Sequence, residues 1–355
     1  TRRYSDFDWL RKTLVKLFPG VYVPPTPHKK VGPRRLDEDY IQKRMTYLNH
    51  FLNAVILNEN FKACDALICF LSYTQRDQFE QKMKEYTSMQ PISYLEDMRN
   101  IDGKVILTTD ESNQKYFANI EKYFNFQTQI LKKVGYNIKC FQNNLRDASK
   151  NLTCLSKNFE LLFFLNNRVM MKDSITKTYE ELQQFCDNWG KIFEKQLDAV
   201  QVHFKEFFKL LRLEGESFQE LVGKRSFYEN KYKSEFQRIS LKKDRLFTAR
   251  DISKFEIAPS TNYDANRMLT DKEYAFSIMC SKENSLLDQL EKFVQYYNKM
   301  SLTQLKTLVK SHCDRFFYNF KEFDVKYYPS INDGIITWTN METFLQTVAA
   351  NMKKK

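Results

Sequence analysis

The stretch IKCFQNNLRDASKNLTCLSKNFELL, residues 138–162, decides the fold of this chain. Its apolar residues recur alternately three and four positions apart: Ile138, Phe141, Leu145, Ala148, Leu152, Leu155, Phe159 and Leu162. This spacing is the heptad pattern of a coiled-coil helix. Two further runs repeat it, from Phe193 to Leu211 and from Leu286 to Met300. The sequence therefore predicts long helices that pack along apolar seams.

Residues that break helices are scarce around these runs. Glycine and proline number eight each among 355 residues, and five of the prolines lie between positions 19 and 33. We expect three long helices at about 112–171, 174–255 and 270–327, with Pro259 before the third helix and Pro329 at its end. Sixty to eighty helical residues make a rod of roughly 90–120 Å. Because such seams need cover along their whole length, we expect a three-helix antiparallel coiled-coil rod that dimerises.

Composition excludes several classes of protein. No stretch approaches the ~20 consecutive apolar residues of a membrane span, and the first ten residues lack the apolar core of a signal peptide, so we expect a soluble, cytoplasmic protein. Seven widely spaced cysteines contain no CxxC pair, and the four histidines show no metal-site or triad spacing. No disulfide framework, metal site, cofactor or enzymatic activity is expected.

The positive charge is concentrated in two segments. The formal net charge is +12, and residues 1–76 and 224–254 each carry a net +6. Two basic segments favour an anionic partner, although a solvated helix face is the alternative for either one alone. The aromatic residues lie in apolar seams rather than among the basic residues, so nucleic acid is not expected. The second segment contains the cations Lys224, Arg225, Lys231, Lys233, Arg238, Lys242, Lys243 and Arg245.

Two motifs near the start carry the clearest chemistry. Residues 2–7 read RRYSDF, residues 23–29 read VPPTPHK, and Arg44 follows on an expected helix. Guanidinium groups offer planar donor forks to phosphate, and an adjacent tyrosine supplies a ring face. The proline-rich segment holds its lysine at low entropic cost. These residues predict a pocket for a compact polyphosphorylated headgroup.

At these motifs the chain resembles the phox-homology (PX) domain, and the long helices after it resemble a Bin/amphiphysin/Rvs (BAR) domain, together the architecture of the sorting nexins. The resemblance implies an α+β PX domain at 1–76, a linker at 77–110 and an all-α BAR domain at 111–355. The chain starts inside what would be the third PX strand. We therefore expect a partial three-stranded sheet plus helices, with two further strands upstream of Thr1.

The resemblance also assigns roles to individual residues. It implies that Arg3 binds the 3-phosphate of phosphatidylinositol 3-phosphate, that Tyr4 packs under the inositol ring, that Lys29 meets the 1-phosphate and that Arg44 holds the 4- and 5-hydroxyls. Arg2 is expected to have a structural or general electrostatic role. In a BAR-like rod the eight cations of the second basic segment lie near the tip, where they would contact the membrane.

The function implied is that of a non-enzymatic peripheral membrane protein on endosomes. It would bind phosphatidylinositol 3-phosphate, sense or stabilise curvature as a homodimer or as a heterodimer with another BAR protein, and act in endosomal sorting. The alternative is a structural or tethering protein that uses the same scaffold without binding lipid. For residues 116–134 we expect the first turns of the rod, with an amphipathic wedge as the alternative.

Overall fold

The computed structural model describes residues 2–29, 38–89, 111–169, 173–248, 264, 267 and 270–353. Nine α-helices occur among these residues: α1 Tyr4–Leu17, α2 Glu38–Leu57, α3 Asp65–Ser72, α4 Arg76–Ser88, α5 Glu111–Arg168, α6 Asp173–Val200, α7 Phe207–Thr248, α8 Lys272–Met279 and α9 Ser281–Lys353. A 3₁₀ turn at Glu59–Phe61 precedes α3, and a π-helical segment at Gln201–Glu206 joins α6 to α7. No helix in the described part of the chain is both long and apolar enough to cross a bilayer.

The chain divides into two compact units. The first unit combines Thr1–Asn125 with Leu213–Leu308, and the second combines Phe126–Arg212 with Val309–Lys355. The first unit therefore contains helices α1–α4, the helix α8 and the adjoining parts of the long helices. We refer to α1–α4 as the short helices. The candidate binding residues all lie in this first unit.

The short helices share one apolar core. Leu10 and Leu14 of α1 are fully buried against Phe51 of α2, Phe70 of α3 and Phe79 of α4. The backbone N–H of Arg3 donates to the Asp6 carboxylate at 2.8 Å, which caps the start of α1. A carboxylate in the first turn also suits the positive end of the helix dipole.

The chain turns sharply where α1 ends. Gly20 adopts φ +82°, which only glycine tolerates readily. A Cβ atom there would lie 2.9 Å from the carbonyl oxygen of Tyr297 on α9. The residues that follow include Tyr22, whose ring stacks on Phe218 of α7 at 4.5 Å, and Phe124 of α5 stacks on Phe218 at 4.4 Å. This stack fixes the proline-rich segment against the long helices.

The expected α+β character of residues 1–76 is wrong. No strand occurs in the described parts of this segment, and every regular element there is helical. Arg2 and Arg3, the described residues before α1, have no strand beside them in the described part of the chain, so they join no ladder. Instead, the Arg2 guanidinium caps the end of α3, donating to the carbonyls of Phe70 at 2.8 Å and of Tyr73.

The region expected as a linker contains a helix. Helix α4 occupies most of the described part of 77–110, and its Phe79 and Tyr86 are buried in the core of the short helices. Arg76, its first residue, contacts both carboxylate oxygens of Asp6, at 2.9 and 3.0 Å. Asp6 is fully buried, so this ion pair ties α4 to α1.

In the second unit, the apolar heptad residues of α5 form two parallel lines along the helix, one buried and one exposed. Ile138 and Leu145 are buried against Val200, with Phe193, Leu197 and Phe204 alongside. By contrast, Phe141 is 46% exposed and Leu155 is 45% exposed, and they belong to the other half of the heptad. A single chain therefore covers one line of the seam and leaves the other accessible.

The last helix also presents apolar residues at heptad spacing to solvent. Ile331, Trp338 and Leu345 recur every seven residues and are exposed, as are Tyr328 before them and Ile335 between the first two. The expectation that Pro329 ends this helix is wrong, since α9 continues through it to Lys353. Proline removes one backbone hydrogen bond, and the carbonyl that loses its partner belongs to Val325, which is exposed, so that solvent can take the place of the lost donor.

Candidate phosphoinositide-binding and membrane-contact site

Tyr4 is the centre of the candidate headgroup site. Its hydroxyl donates to the carbonyl oxygen of Pro27 at 2.6 Å. The guanidinium of Arg44, from α2, lies 3.7 Å from the centroid of the Tyr4 ring, within the range of a cation–π contact. Arg3 precedes Tyr4, and Lys29 follows Pro27 by two positions. The fold thus brings the four residues singled out in the sequence into one neighbourhood.

The cations of this neighbourhood retain unused hydrogen-bond donors. The side chains of Arg3 and Lys29 are exposed, and neither forms an ion pair with another residue in the described ranges. Arg44 donates to the Tyr40 hydroxyl at 3.1 Å. Its Nε is buried without a hydrogen-bond partner among the described residues. Since unmade hydrogen bonds of buried groups are costly, an oxygen-rich ligand would gain by satisfying them.

A cleft of about 430 Å³ lies beside the candidate site. Tyr4 and Lys29 line one side of it, and Glu216 and Glu220 of α7 line the other. His28 Nε2 lies 3.0 Å from the Glu216 carboxylate, and Arg11 forms an ion pair with Glu220 at 2.7 Å. The two carboxylates make this cleft unsuited to a polyanion. Arg3 and Arg44 are not among its lining residues, whereas Lys29 is.

The Arg11–Glu220 pair holds the proline-rich segment on α7. Arg11 also donates to the carbonyl of Pro24 at 3.0 Å and to Ser217 Oγ at 3.1 Å. Burial opposes ionisation of Glu220, but Arg11 and then Lys224 outweigh it and lower the pKa of this carboxyl from its usual value. The contacts of Arg11 with Ser217 and Glu220 join residues more than 200 positions apart, so no local sequence signal could have revealed them.

The eight cations assigned to the tip lie in different environments on α7. Arg225 is 7% exposed: its guanidinium lies 4.0 Å from the centroid of Phe117, donates to Asn298 at 2.7 Å and pairs with Glu229. Burial lowers the pKa of Arg225 from its ordinary value, against the opposing effect of Glu229. The expected membrane contact is therefore replaced at this position by an internal role.

The other seven cations are accessible and mostly paired. Five form ion pairs with glutamates, Lys224 with Glu220, Lys233 with Glu229, Arg238 with Glu235, Lys242 with Glu283 and Lys243 with Glu273. Lys231 and Arg245 are exposed and have no ion pair in the part of the chain that the structure describes. Exposed pairs are weak and exchange readily, so they leave these side chains available to other anions.

Residues 30–35, which follow Lys29 and include several cations, and the residues around Pro259 lie outside the described part of the chain. No group of three or more potential metal ligands occurs within the described ranges.

Comparison with known proteins matches the start of the chain to a known domain and the chain to several relatives. The family model for the PX domain matches residues 1–74. Sorting nexin MVP1 of Candida glabrata is 25% identical over 213 residues, which cover 55% of this chain and 41% of that protein. Sorting nexin-30 of Mus musculus is 22% identical over 313 residues, covering 84% of this chain and 66% of the relative. The chain thus spans less than half the length of the first of these relatives.

A solved structure resembles nearly the whole fold. The structure described as the cryo-EM structure of the SNX-BAR Mvp1 tetramer matches with a TM-score of 0.69 at 14% identity, covering 97% of this chain and 88% of that one. The chain has a PX domain followed by long helices of the BAR type. In sequence it is similar to sorting nexins, and in fold it is similar to a sorting nexin of the PX-BAR class.

Proposed function

We propose that this chain is a non-enzymatic peripheral membrane protein of endosomal sorting, and that it binds phosphatidylinositol 3-phosphate at Arg3, Tyr4, Lys29 and Arg44. The observation that carries the proposal is the contact between Arg44 and the Tyr4 ring, together with the Tyr4–Pro27 hydrogen bond. In support, Arg44 contacts the ring with a buried donor that has no partner among the described residues, Arg3 precedes Tyr4, and Lys29 lines a cleft with Tyr4. A phosphorylated inositol offers the anionic oxygens and hydroxyls that such donors bind.

The division of roles follows the resemblance. Arg3, exposed and unpaired within the described residues, is the ligand of the 3-phosphate. Lys29 meets the 1-phosphate, and the buried Nε of Arg44 gains a partner in an inositol hydroxyl. Specificity for the 3-phosphate then depends on Arg3, because a planar guanidinium grips phosphate in a fixed geometry.

We further propose that the chain acts as a dimer, with itself or with another BAR protein, and responds to membrane curvature in that form. The support is the exposed apolar line on α5 at Phe141 and Leu155 and the one on α9 at Ile331, Trp338 and Leu345. Exposed apolar residues at heptad spacing are typical of helices that pair with another chain. Two headgroup sites in one assembly would also raise the effective concentration at a membrane.

Flotation with vesicles tests the headgroup site. We expect Arg3→Ala to abolish the preference for vesicles that contain phosphatidylinositol 3-phosphate over vesicles without it. Lys62→Ala is the matched control, since it removes one exposed cation from the same region without touching the site. The headgroup proposal fails if Arg3→Ala and Lys62→Ala bind alike. A dimer that ignores every vesicle would instead support the tethering alternative.

A further inference from the structure

One face of α7 combines cations with large apolar side chains. Six residues recur there at intervals of three and four: Phe227, Lys231, Ser234, Arg238, Leu241 and Arg245. At 100° per residue they fall within about 40° of a common direction, and all six are exposed. Phe227 is 63% exposed and Leu241 is 58% exposed. We refer to these six residues as the α7 stripe.

The stripe lies on the same face of α7 as the residues that contact the PX region. Glu220, Phe227, Ser234 and Leu241 are seven residues apart, so they lie along one line of the helix. Glu220 binds Arg11, and Glu216, near the same line, contacts His28. His28 precedes Lys29, the proposed ligand of the 1-phosphate. The stripe and the lysine therefore lie on the same side of α7.

The charge of the stripe identifies its partner. It contains three cations and no carboxylate, and within the described residues only Arg238 among the three has an ion pair, with Glu235. A second copy of the same surface would bring like charges together, which disfavours self-association through it. Cations that flank an aromatic and a branched aliphatic side chain suit the boundary of an anionic bilayer, where phosphate lies above apolar chains.

We infer that the α7 stripe is a membrane-contact surface in which Phe227 and Leu241 insert at the headgroup–acyl boundary while Lys231, Arg238 and Arg245 meet lipid phosphates. This inference rests on the proposed function, because the PX residues bring this side of α7 to the membrane. Attachment through charge alone would weaken as salt rises. Shallow insertion of the two apolar side chains adds a contribution that does not depend on charge. Of the eight cations predicted to lie near the tip, the inference assigns direct contact with lipid to Lys231, Arg238 and Arg245.

Binding to vesicles of phosphatidylcholine and phosphatidylserine, with and without phosphatidylinositol 3-phosphate, tests the insertion with the full chain. We expect the double variant Phe227→Ser/Leu241→Ser to weaken binding to both kinds of vesicle by about tenfold or more. Phe236→Ser is the matched control: Phe236 is 51% exposed on the same helix, and nine residues from Phe227 it points about 180° away. Its binding should equal that of the parent protein.

The cations are tested separately on the same vesicles. Replacing Lys231 and Arg245 by alanine should weaken binding about fivefold per charge removed, and the loss should shrink as salt rises. Insertion itself is read from tryptophan fluorescence with brominated lipid. Phe227→Trp should add quenching relative to the parent protein, whereas Phe236→Trp should add none.

Three results would overturn the inference. They are unchanged binding of a correctly folded Phe227→Ser/Leu241→Ser variant, equal quenching at positions 227 and 236, and a smaller mass of the double variant in light scattering, which would mean that the stripe contacts a second copy. Failure of Arg3→Ala to affect binding would reject the headgroup site alone. The stripe would still be judged on the phosphatidylserine vesicles that lack phosphatidylinositol 3-phosphate.

Discussion

At the scale of single residues, the position of Arg3 depends on a buried carboxylate. Asp6 is fully buried and accepts from the backbone N–H of Arg3 while it pairs with Arg76 of α4. Arg76 in turn pairs with Glu80 at 2.6 Å, and its hydrogen bonds to Glu80 and Asp6 raise its pKa. A buried carboxylate that loses its cation is left with an uncompensated charge. Arg76 therefore supports the start of α1, where the proposed phosphate ligand lies.

We predict that Arg76→Gln lowers the melting temperature of the protein by several degrees and weakens binding to vesicles with phosphatidylinositol 3-phosphate. The reason is that Asp6 then loses its cation and keeps hydrogen bonds with the Arg3 backbone and, at 3.5 Å, with the Ser5 hydroxyl. Lys82→Gln on the same helix breaks a surface ion pair with Glu85 and should change little. Thermal unfolding that is the same in the two variants would contradict this role.

The sequence reveals residue chemistry better than residue surroundings. The motifs RRYSDF and VPPTPHK with Arg44 predicted a headgroup site, and in the structure Tyr4 contacts Arg44 and the carbonyl of Pro27. Arg225 looked like one more cation in a basic run, yet it is enclosed by Phe117 and Asn298. Its neighbours come from distant parts of the chain, and a count of charges contains no information about them.

At the scale of elements, an aromatic stack connects the proline-rich segment to two long helices. Phe218 is 2% exposed and lies between the rings of Tyr22 and Phe124, whose centroids are 4.5 and 4.4 Å away. Offset aromatic stacking adds to the benefit of burying the rings. The stack holds the segment that carries Lys29, so the candidate site depends on it.

We predict that Phe218→Ala lowers the free energy of unfolding by about 3–5 kcal/mol, because it removes a buried ring from a filled core. Urea denaturation followed by circular dichroism measures this. Phe227→Ala on the same helix replaces an exposed ring and should cost less than about 0.5 kcal/mol. Equal midpoints for the two variants would show that the stack does not stabilise the fold.

The long helices could be predicted because heptad spacing and a scarcity of helix-breaking residues are both visible in the local sequence. The structure confirms long helices at Glu111–Arg168 and from Asp173 to Thr248. Helix α4 was missed because only Phe79, Met83 and Tyr86 mark its apolar face among polar residues. The expected sheet was wrong because a strand needs a partner, and pairing is not encoded in the segment itself.

At the scale of the whole molecule, the exposed seams indicate that the single chain is incomplete as an assembly. Half of the α5 heptad and a line on α9 remain accessible, although their residues are large and apolar. Burying such residues against another chain recovers the hydrophobic free energy that the single chain leaves unused. The proposed dimer is the simplest way to cover them.

We predict that Ile335→Asp combined with Leu155→Asp reduces the mass measured by light scattering to that of a single chain. A carboxylate at the centre of an apolar interface is costly to bury. Ile68→Asp, an exposed position on α3 in the first unit, is the control and should leave the mass unchanged. A parent protein that is already a single chain at every concentration would contradict the proposed dimer.

The ion pair between Asp6 and Arg76 also matters for how the PX region is isolated in the laboratory. A fragment ending at residue 74, where the family match ends, would omit Arg76 together with Phe79 and Tyr86 of α4. Asp6 would then be deprived of its cation and the core would lose two aromatic rings. A soluble PX fragment of this protein should therefore extend to the end of α4, at Ser88.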